Sequence, residues 1–313
     1  MKRLLLVVAL TALMSASAVA QTNVTILTGS TSGVYYPLGN AISVIFNKSI
    51  PGARSSVQVT QGSVENLNLL EAGDGELAFS LGDAVSAAWK GDPDAGFKTR
   101  LEKLRGVAAI YRNHIQLVVS ESSGAKTLRD LKGKRVSVGP KRSGTELNAR
   151  AIFAAVGMTY ADFGRTDYLP FGQSATMIEK GELDASLQSA GLGVDSIRHL
   201  STAIPIRLIA IPPEVVGKIG DSAYVPSVVP ARTYEGQSDP VETAAVVNFL
   251  VTREGLSAET VYAMTKAIFT NLNQLVQTHP AAQGISIKDA ASNMPVPLHP
   301  GAERYYREIG LIK

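Results

Sequence analysis

Three times in this chain a short apolar run gives way to a tight Gly/Ser turn and then to a helical hydrophobic period. Val24–Leu27 is followed by Gly29-Ser30-Thr31-Ser32-Gly33, after which Leu38, Ile42, Ile45 and Phe46 recur on one helical face. Ser56–Thr60 leads through Gln61-Gly62-Ser63 into a helix carrying Leu67 and Leu70, closed by Gly73. Val136–Val138 leads through Gly139-Pro140-Lys141-Arg142-Ser143 into a helix from Ser143 to Val156. Strand, turn and helix in repeated alternation define an α/β fold. In an open α/β sheet the edge where strands hand over to helices is where ligands bind. Each new helix also starts with free backbone N–H groups, which suit an anion.

The remaining strands are expected at Leu77–Ser80, Gly106–Tyr111, Ile115–Ser120, Tyr168–Pro170, Ala185–Leu187, Ile206–Ile209 and Ala244–Val251. Ala84–Trp89 reads as a short helix. A single long helix is expected over Ala258–Thr278, capped by Ser257. The segment Tyr224–Thr233 holds Pro226 and Pro230 and has no helical period, so it is read as an extended return path. The chain then passes twice between two halves: 21–113 with 232–313 forms lobe I, and 114–231 forms lobe II. A hinged pair of lobes leaves a cleft between them, where small ligands bind, and closure on a ligand follows as a mechanism.

Residues 1–20 read as a secretory signal. Lys2 and Arg3 are the positive start, Leu4–Met14 the apolar segment, and Ala18-Val19-Ala20 the cleavage site. Removal of Lys2 and Arg3 takes the net charge from +3 to +1. The chain has no Cys, which excludes disulfides, thiolate metal sites, Cys nucleophiles and a lipid anchor at the cleavage point. The expected product is free and soluble in the periplasm. The near-neutral balance argues against a nucleic-acid partner.

Signals for catalysis are lacking. His114, His199, His279 and His299 show no metal-ligand spacing, and no G-x-S-x-G elbow is present. Gly139 and Gly144 have the spacing of a phosphate loop, but Thr145 stands where its Lys belongs. Ser123 and Lys126 match S-x-x-K without its companion motifs. No enzyme activity, cofactor or metal site is expected.

Each turn has a structural and a ligand-binding reading. In the first, the glycines permit close backbone approach, and Tyr35 and Tyr36 offer walls and hydroxyls; an ordinary strand-to-helix turn accounts for them equally. In the second, Ser63 serves as an N-cap. In the third, Ser143 and Glu146 form a capping box, while Lys141, Arg142 and the helix start together make a positive field.

The segments T-G-S-T-S-G-V-Y-Y-P-L-G-N-A-I (28–42), Q-G-S-V-E-N-L-N-L-L (61–70), V-G-P-K-R-S-G-T (138–145) and L-H-P-G-A-E-R-Y-Y-R-E-I-G (298–310) resemble the TAXI family. These are the solute-binding subunits of TRAP, or tripartite ATP-independent periplasmic, transporters. The resemblance spans residues 21–313. It implies a two-lobe periplasmic binding protein fold (type II) that captures a small carboxylate: glutamate, glutamine, 2-oxoglutarate or a related dicarboxylic acid. It implies delivery to TRAP membrane subunits, a fused permease, driven by an ion gradient. The implied ligand-binding residues are Ser30, Thr31, Gly33, Val34, Tyr35, Tyr36, Ser63, Asn66, Asp83, Ser143, Gly144, Thr145, Gln188 and Ser189. Relatives often carry Gln two positions before the residue matching Asp83; here it is Leu81, so an amide hydrogen bond to ligand is lost. Tyr305 and Tyr306 are read as packing of the last helix on lobe I. A sensor-linked binding protein and, further off, a periplasmic enzyme on the same fold are the alternatives.

Overall fold

The computed structural model describes residues 21–313; the expected signal segment, 1–20, lies outside the described residues. The fold is mixed α/β around one curled ten-stranded sheet, in the order β2-β1-β3-β10-β4-β7-β5-β6, with β8 also on β4 and β9 on β10. The strands are β1 (Thr22–Leu27), β2 (Ala53–Gln58), β3 (Leu77–Leu81), β4 (Leu104–Ser120), β5 (Arg135–Ser137), β6 (Arg165–Asp167), β7 (Ala185–Ala190), β8 (Ile206–Ile209), β9 (Val225–Val229) and β10 (Val241–Arg253). The helices are α1 (Tyr35–Ser49), α2 (Ser63–Ala72), α3 (Gly82–Lys90), α4 (Gly144–Ala155), α5 (Phe171–Glu179), α6 (Asp195–Ala203), α7 (Pro213–Ile219), α8 (Ala258–Thr270), α9 (Leu272–Thr278) and α10 (Pro300–Glu308). None of the helices among the described residues is long and apolar enough to cross a membrane.

Two parallel sets, β2-β1-β3 and β7-β5-β6, flank the antiparallel pair β4 and β10. The parallel strands are joined through helices, as their geometry demands. Their carboxyl ends therefore feed helix starts: β1 into α1, β2 into α2, β3 into α3 and β5 into α4. One apolar cluster gathers α1, α8, α10 and the first parallel set, with Ile26, Phe46, Phe79, Met264 and Tyr306 fully buried. A second surrounds β5, β7 and α4 with Val136, Ile152, Phe153 and Leu187.

The two strands expected at Gly106–Tyr111 and Ile115–Ser120 are one strand of 17 residues. The polar residues Arg112-Asn113-His114 between them suggest a break, yet the partners of Asn113 lie across the sheet. Asn113 Nδ2 donates to the Ser189 carbonyl at 2.8 Å, and Asn248 Nδ2 to Asn113 Oδ1 at 2.8 Å. The first part of β4 pairs with β10 as far as His114, and its second part pairs with β7 and β8. β10 in turn pairs with β9 through Val241–Ala245.

Other boundaries shift for local reasons. The second strand lies at Ala53–Gln58, earlier than Ser56–Thr60. The sixth lies at Arg165–Asp167, not Tyr168–Pro170, because Pro170 lacks the N–H a ladder needs. The long C-terminal helix is two, α8 and α9, parted at Asn271. There Asn271 Nδ2 donates to the Ala267 carbonyl at 2.8 Å, competing with the helical ladder. Ser257 caps α8 as expected, accepting from Thr260 N at 3.1 Å. Tyr306 in α10 donates to the Val107 carbonyl at 2.6 Å, tying the last helix to β4.

Candidate ligand site

Between the two halves of the sheet lies a cavity of about 50 Å³, walled by the starts of α1, α2 and α4 and floored by β4 and β7. That is several times the space one water requires. From the first turn come Ser30, Gly33, Val34 and Tyr35; from the second Ser63, with Gln61 and Gly62; from the third Ser143, Gly144 and Thr145. Ser189 and Ala190 come from the end of β7, Leu81 from the end of β3, and Phe171 from the start of α5.

Local chemistry sets these starts. Gly62 precedes α2 with φ +110°, a conformation closed to residues with a Cβ. Ser63 is the first helical residue and not the cap: its hydroxyl accepts from Leu81 N at 3.1 Å, linking the α2 start to the end of β3. Ser143 does cap α4, accepting from Glu146 N at 3.1 Å. Glu146 does not complete a capping box; it pairs with Arg150 at 2.8 Å and accepts from the Tyr160 hydroxyl at 3.0 Å. Tyr35 stacks on Phe79 at 5.0 Å between centroids and donates to Asn248 Oδ1. Burial pushes its phenol well above the ordinary range, so it stays neutral.

Among the described residues, no Lys, Arg, His, Asp or Glu lines this cavity. The positive field expected of Lys141 and Arg142 is directed elsewhere. Lys141 lies over the Tyr168 ring at 5.0 Å, and Arg142, with φ 62°, reaches Glu65 at 4.0 Å. Positive potential in the cavity thus comes from the three helix starts. Two buried hydroxyls add to it. Tyr111 OH and Ser189 Oγ belong to cavity-lining residues and have no hydrogen-bond partner among the described residues. Burial, with the Tyr35 phenol nearby, drives the Tyr111 pKa far upward, so it too offers a neutral O–H.

Five expected ligand residues are placed elsewhere. Thr31 and Tyr36 face an outer groove with Asn40 and Val44. Asn66 is fully buried, its Nδ2 donating to the Thr28 and Phe79 carbonyls at 2.7 and 2.8 Å; it braces the turns behind the cavity. Gln188 is buried in β7, where Oε1 accepts from Ser196 at 2.6 Å. Asp83, at the start of α3, accepts from Asn148 Nδ2 and the Tyr224 hydroxyl, each at 2.7 Å. Conversely, Tyr111, Asn113 and Phe171 line the cavity without having been singled out. Tyr111 and Asn113 sit mid-strand with no turn to mark them; their one sequence sign is polarity inside an otherwise apolar run.

The halves meet over the cavity. Glu65 N donates to the Arg142 carbonyl at 3.1 Å, and Gly172 N to Ser32 Oγ at 2.8 Å. A Cβ on Gly144 would stand 2.6 Å from Leu81 Cδ1 and 2.7 Å from Ser63 Oγ. Glycine alone permits this approach.

The pattern of the NMT1-like family matches residues 26–310, nearly all of the described chain. The chain belongs to the NMT1-like family. Solved structures share the fold at low sequence identity. A protein of Bordetella bronchiseptica RB50 is 15% identical with a TM-score of 0.60, over 92% of this chain and 98% of that one. PhnD1 from Prochlorococcus marinus (MIT 9301), solved in complex with methylphosphonate, is 13% identical with a TM-score of 0.59, over 93% and 99%. A binding protein component of an ABC phosphonate transporter from Pseudomonas aeruginosa is 11% identical with a TM-score of 0.56, over 85% and 80%. This NMT1-like chain therefore has the fold of solute-binding proteins. Two of the three are named for a phosphonate ligand or transporter, and none is named as a TAXI protein.

Proposed function

We propose that this protein is a periplasmic solute-binding protein, exported by residues 1–20, that captures a small organic anion by closure of two lobes. The lobes are 21–113 with 232–313, and 114–231; the chain crosses between them within β4 and again between β9 and β10. The observation that carries the reading is convergence. Three helix starts from different strands line one cavity between the halves, and two of its lining residues, Tyr111 and Ser189, carry buried hydroxyls with no partner among the described residues. Helix N–H groups and neutral hydroxyls hold an oxyanion without a countercharge.

The same lining favours some ligands over others. An amino acid such as glutamate needs an acceptor for its ammonium group, and no carboxylate lines the cavity. A compact 2-oxo or dicarboxylic acid fits better. Delivery to TRAP membrane subunits is supported by the TAXI-like motifs at 28–42 and 298–310. Delivery to an ABC permease is supported by the likeness to the phosphonate-binding component.

A thermal-shift screen of residues 21–313 tests the binding reading, using pyruvate, 2-oxoglutarate, succinate, glutamate, methylphosphonate and glucose. A ligand selective for the native state at one hundred times its Kd adds about 2.7 kcal/mol of stability. A shift with a 2-oxo or dicarboxylic acid, without consumption of the solute, is the expected result. A shift with glucose alone removes the anion reading. Uptake into vesicles bearing the membrane subunits, driven by an ion gradient or by ATP, separates the two delivery routes.

A further inference from the structure

Behind the cavity, Asp83 is a buried carboxyl on one half whose polar partners come from the other. It is 6% exposed, at the start of α3. Asn148 of α4 and Tyr224 before β9 both donate to its Oδ2, and Asn148 Nδ2 also donates to the Tyr224 hydroxyl at 2.8 Å. Two acceptor oxygens in this cluster are left without a donor: Asp83 Oδ1 and Asn148 Oδ1, both buried. An unpaired buried acceptor is costly. The two belong to groups already joined by a hydrogen bond. A proton on Asp83 removes the buried charge and turns one of its oxygens from an acceptor into a donor.

We propose that Asp83 is a positioning residue for lobe closure that takes up a proton as the lobes close, so that the closed form is favoured by acid. This rests on the two-lobe reading above. In the open form Asp83 meets water and ionises as an ordinary carboxyl. In the closed form burial raises its pKa to about 6, against the lowering effects of the Tyr224 hydroxyl and the Ala84 backbone N–H, with the Asp221 charge raising it further. A pKa raised in the closed state means the proton binds that state more tightly. The contribution to closure is complete below the ordinary carboxylate pKa and is lost as pH rises through about 6.

The charged surroundings are compatible. From α4 come Glu146 and Arg150, which pair with each other. From the segment before β9 come Asp221 and Tyr224. From α2 comes Glu65, turned to Arg142, and from α1 the neutral Tyr35. β3 carries no titratable side chain, and Glu242 and Arg253 lie at the ends of β10. Lys90 lies at the far end of α3. Arg112 of β4 shares a cleft with Gly82, Ser86 and Asp221.

The chain has no Cys, so a closed form can be trapped without any solute. A Cβ on Gly172 would stand 3.3 Å from Ser32 Cβ, close to disulfide spacing. The experiment oxidises the double variant S32C/G172C, with aspartate labelled by carbon-13 at the carboxyl, and follows the carboxyl resonances with pH. One aspartate titrating near pH 6 in the oxidised form, absent in D83N and lower in the reduced form, is the expected result. Y224F, which removes a donor to the carboxylate, moves that midpoint upward. An Asp83 midpoint at the ordinary carboxylate value in the oxidised form overturns the proposal, and failure of the cross-link overturns it too by removing the closed interface. The assay uses no ligand. Failure of every solute in the thermal-shift screen therefore leaves this result standing, and the two readings fail separately.

Discussion

At the cavity wall, the Tyr111 and Ser189 hydroxyls have no other hydrogen-bond partner to give up on binding a solute. Tyr111→Phe and Ser189→Ala are each expected to weaken binding about tenfold, for a hydrogen bond of roughly 1–1.5 kcal/mol. The unfolding midpoint should not fall, since neither change leaves a new unpaired group. Calorimetric titration and urea unfolding of the same samples check both halves. Tyr35 behaves differently. Its ring packs on Phe79 and its hydroxyl bonds Asn248, so Tyr35→Ala is expected to cost about 3 kcal/mol of stability, measurable in urea, and cannot serve as a clean binding variant. Ser143→Ala combines both effects, losing a cap worth about 1 kcal/mol and a hydroxyl of the cavity wall.

Helix starts and strand ends work as units. Gly144 opens α4 against Leu81 and Ser63 from the opposite half. Gly144→Ala leaves α4 itself intact, because the clash falls only across the cleft. Solute affinity should drop at least tenfold while the circular dichroism spectrum and unfolding midpoint hold; an unchanged affinity would show that this contact does not form on binding. On β5, Arg135 N, Nε and an Nη all donate to Asp184. The Arg135 hydrogen bonds hold the Asp184 carboxyl below the usual carboxylate range. A pKa lowered by folding contributes stability above the unfolded value, near 4, and loses it as pH falls through the folded value. Asp184→Asn is therefore expected to lower the melting temperature at pH 7, with the gap to the unaltered protein closing in acid. Melting curves from pH 7 to pH 2.5 read this directly.

Across the whole molecule, β4 and β10 are the shared members of both halves, and the halves meet over the cavity through polar contacts, Glu65 to Arg142, Ser32 to Gly172 and the Asp83 cluster, and through apolar ones, with Leu81 packed among residues of the second half. Small-angle scattering of residues 21–313 is expected to show a smaller radius of gyration with bound solute than without it, and S32C/G172C should hold the smaller value in its oxidised form alone. A radius indifferent to solute would argue for a rigid receptor.

Much of this was legible in the residues alone. The Gly/Ser turns at 29–33, 61–63 and 139–143 mark the three helix starts because turns, caps and apolar periodicity depend on neighbours a few positions away. Ser30, Tyr35, Ser143 and Thr145 line the cavity; the local pattern left an ordinary turn or cap equally open there, and the resemblance to the TAXI family singled them out. Other outcomes depend on residues far apart in the chain. Polar Asn113 sits inside a continuous strand because Asn248 and Ser189 satisfy it. Lys141 and Arg142 belong to a cavity-forming turn but reach outward, to Tyr168 and Glu65. Asp83 left the ligand set for a cluster with Asn148, 65 positions on, and Tyr224, 141 positions on. Local chemistry decides where a helix begins; which side chains meet there depends on how strands cross, and that is set by contacts no short window of sequence contains.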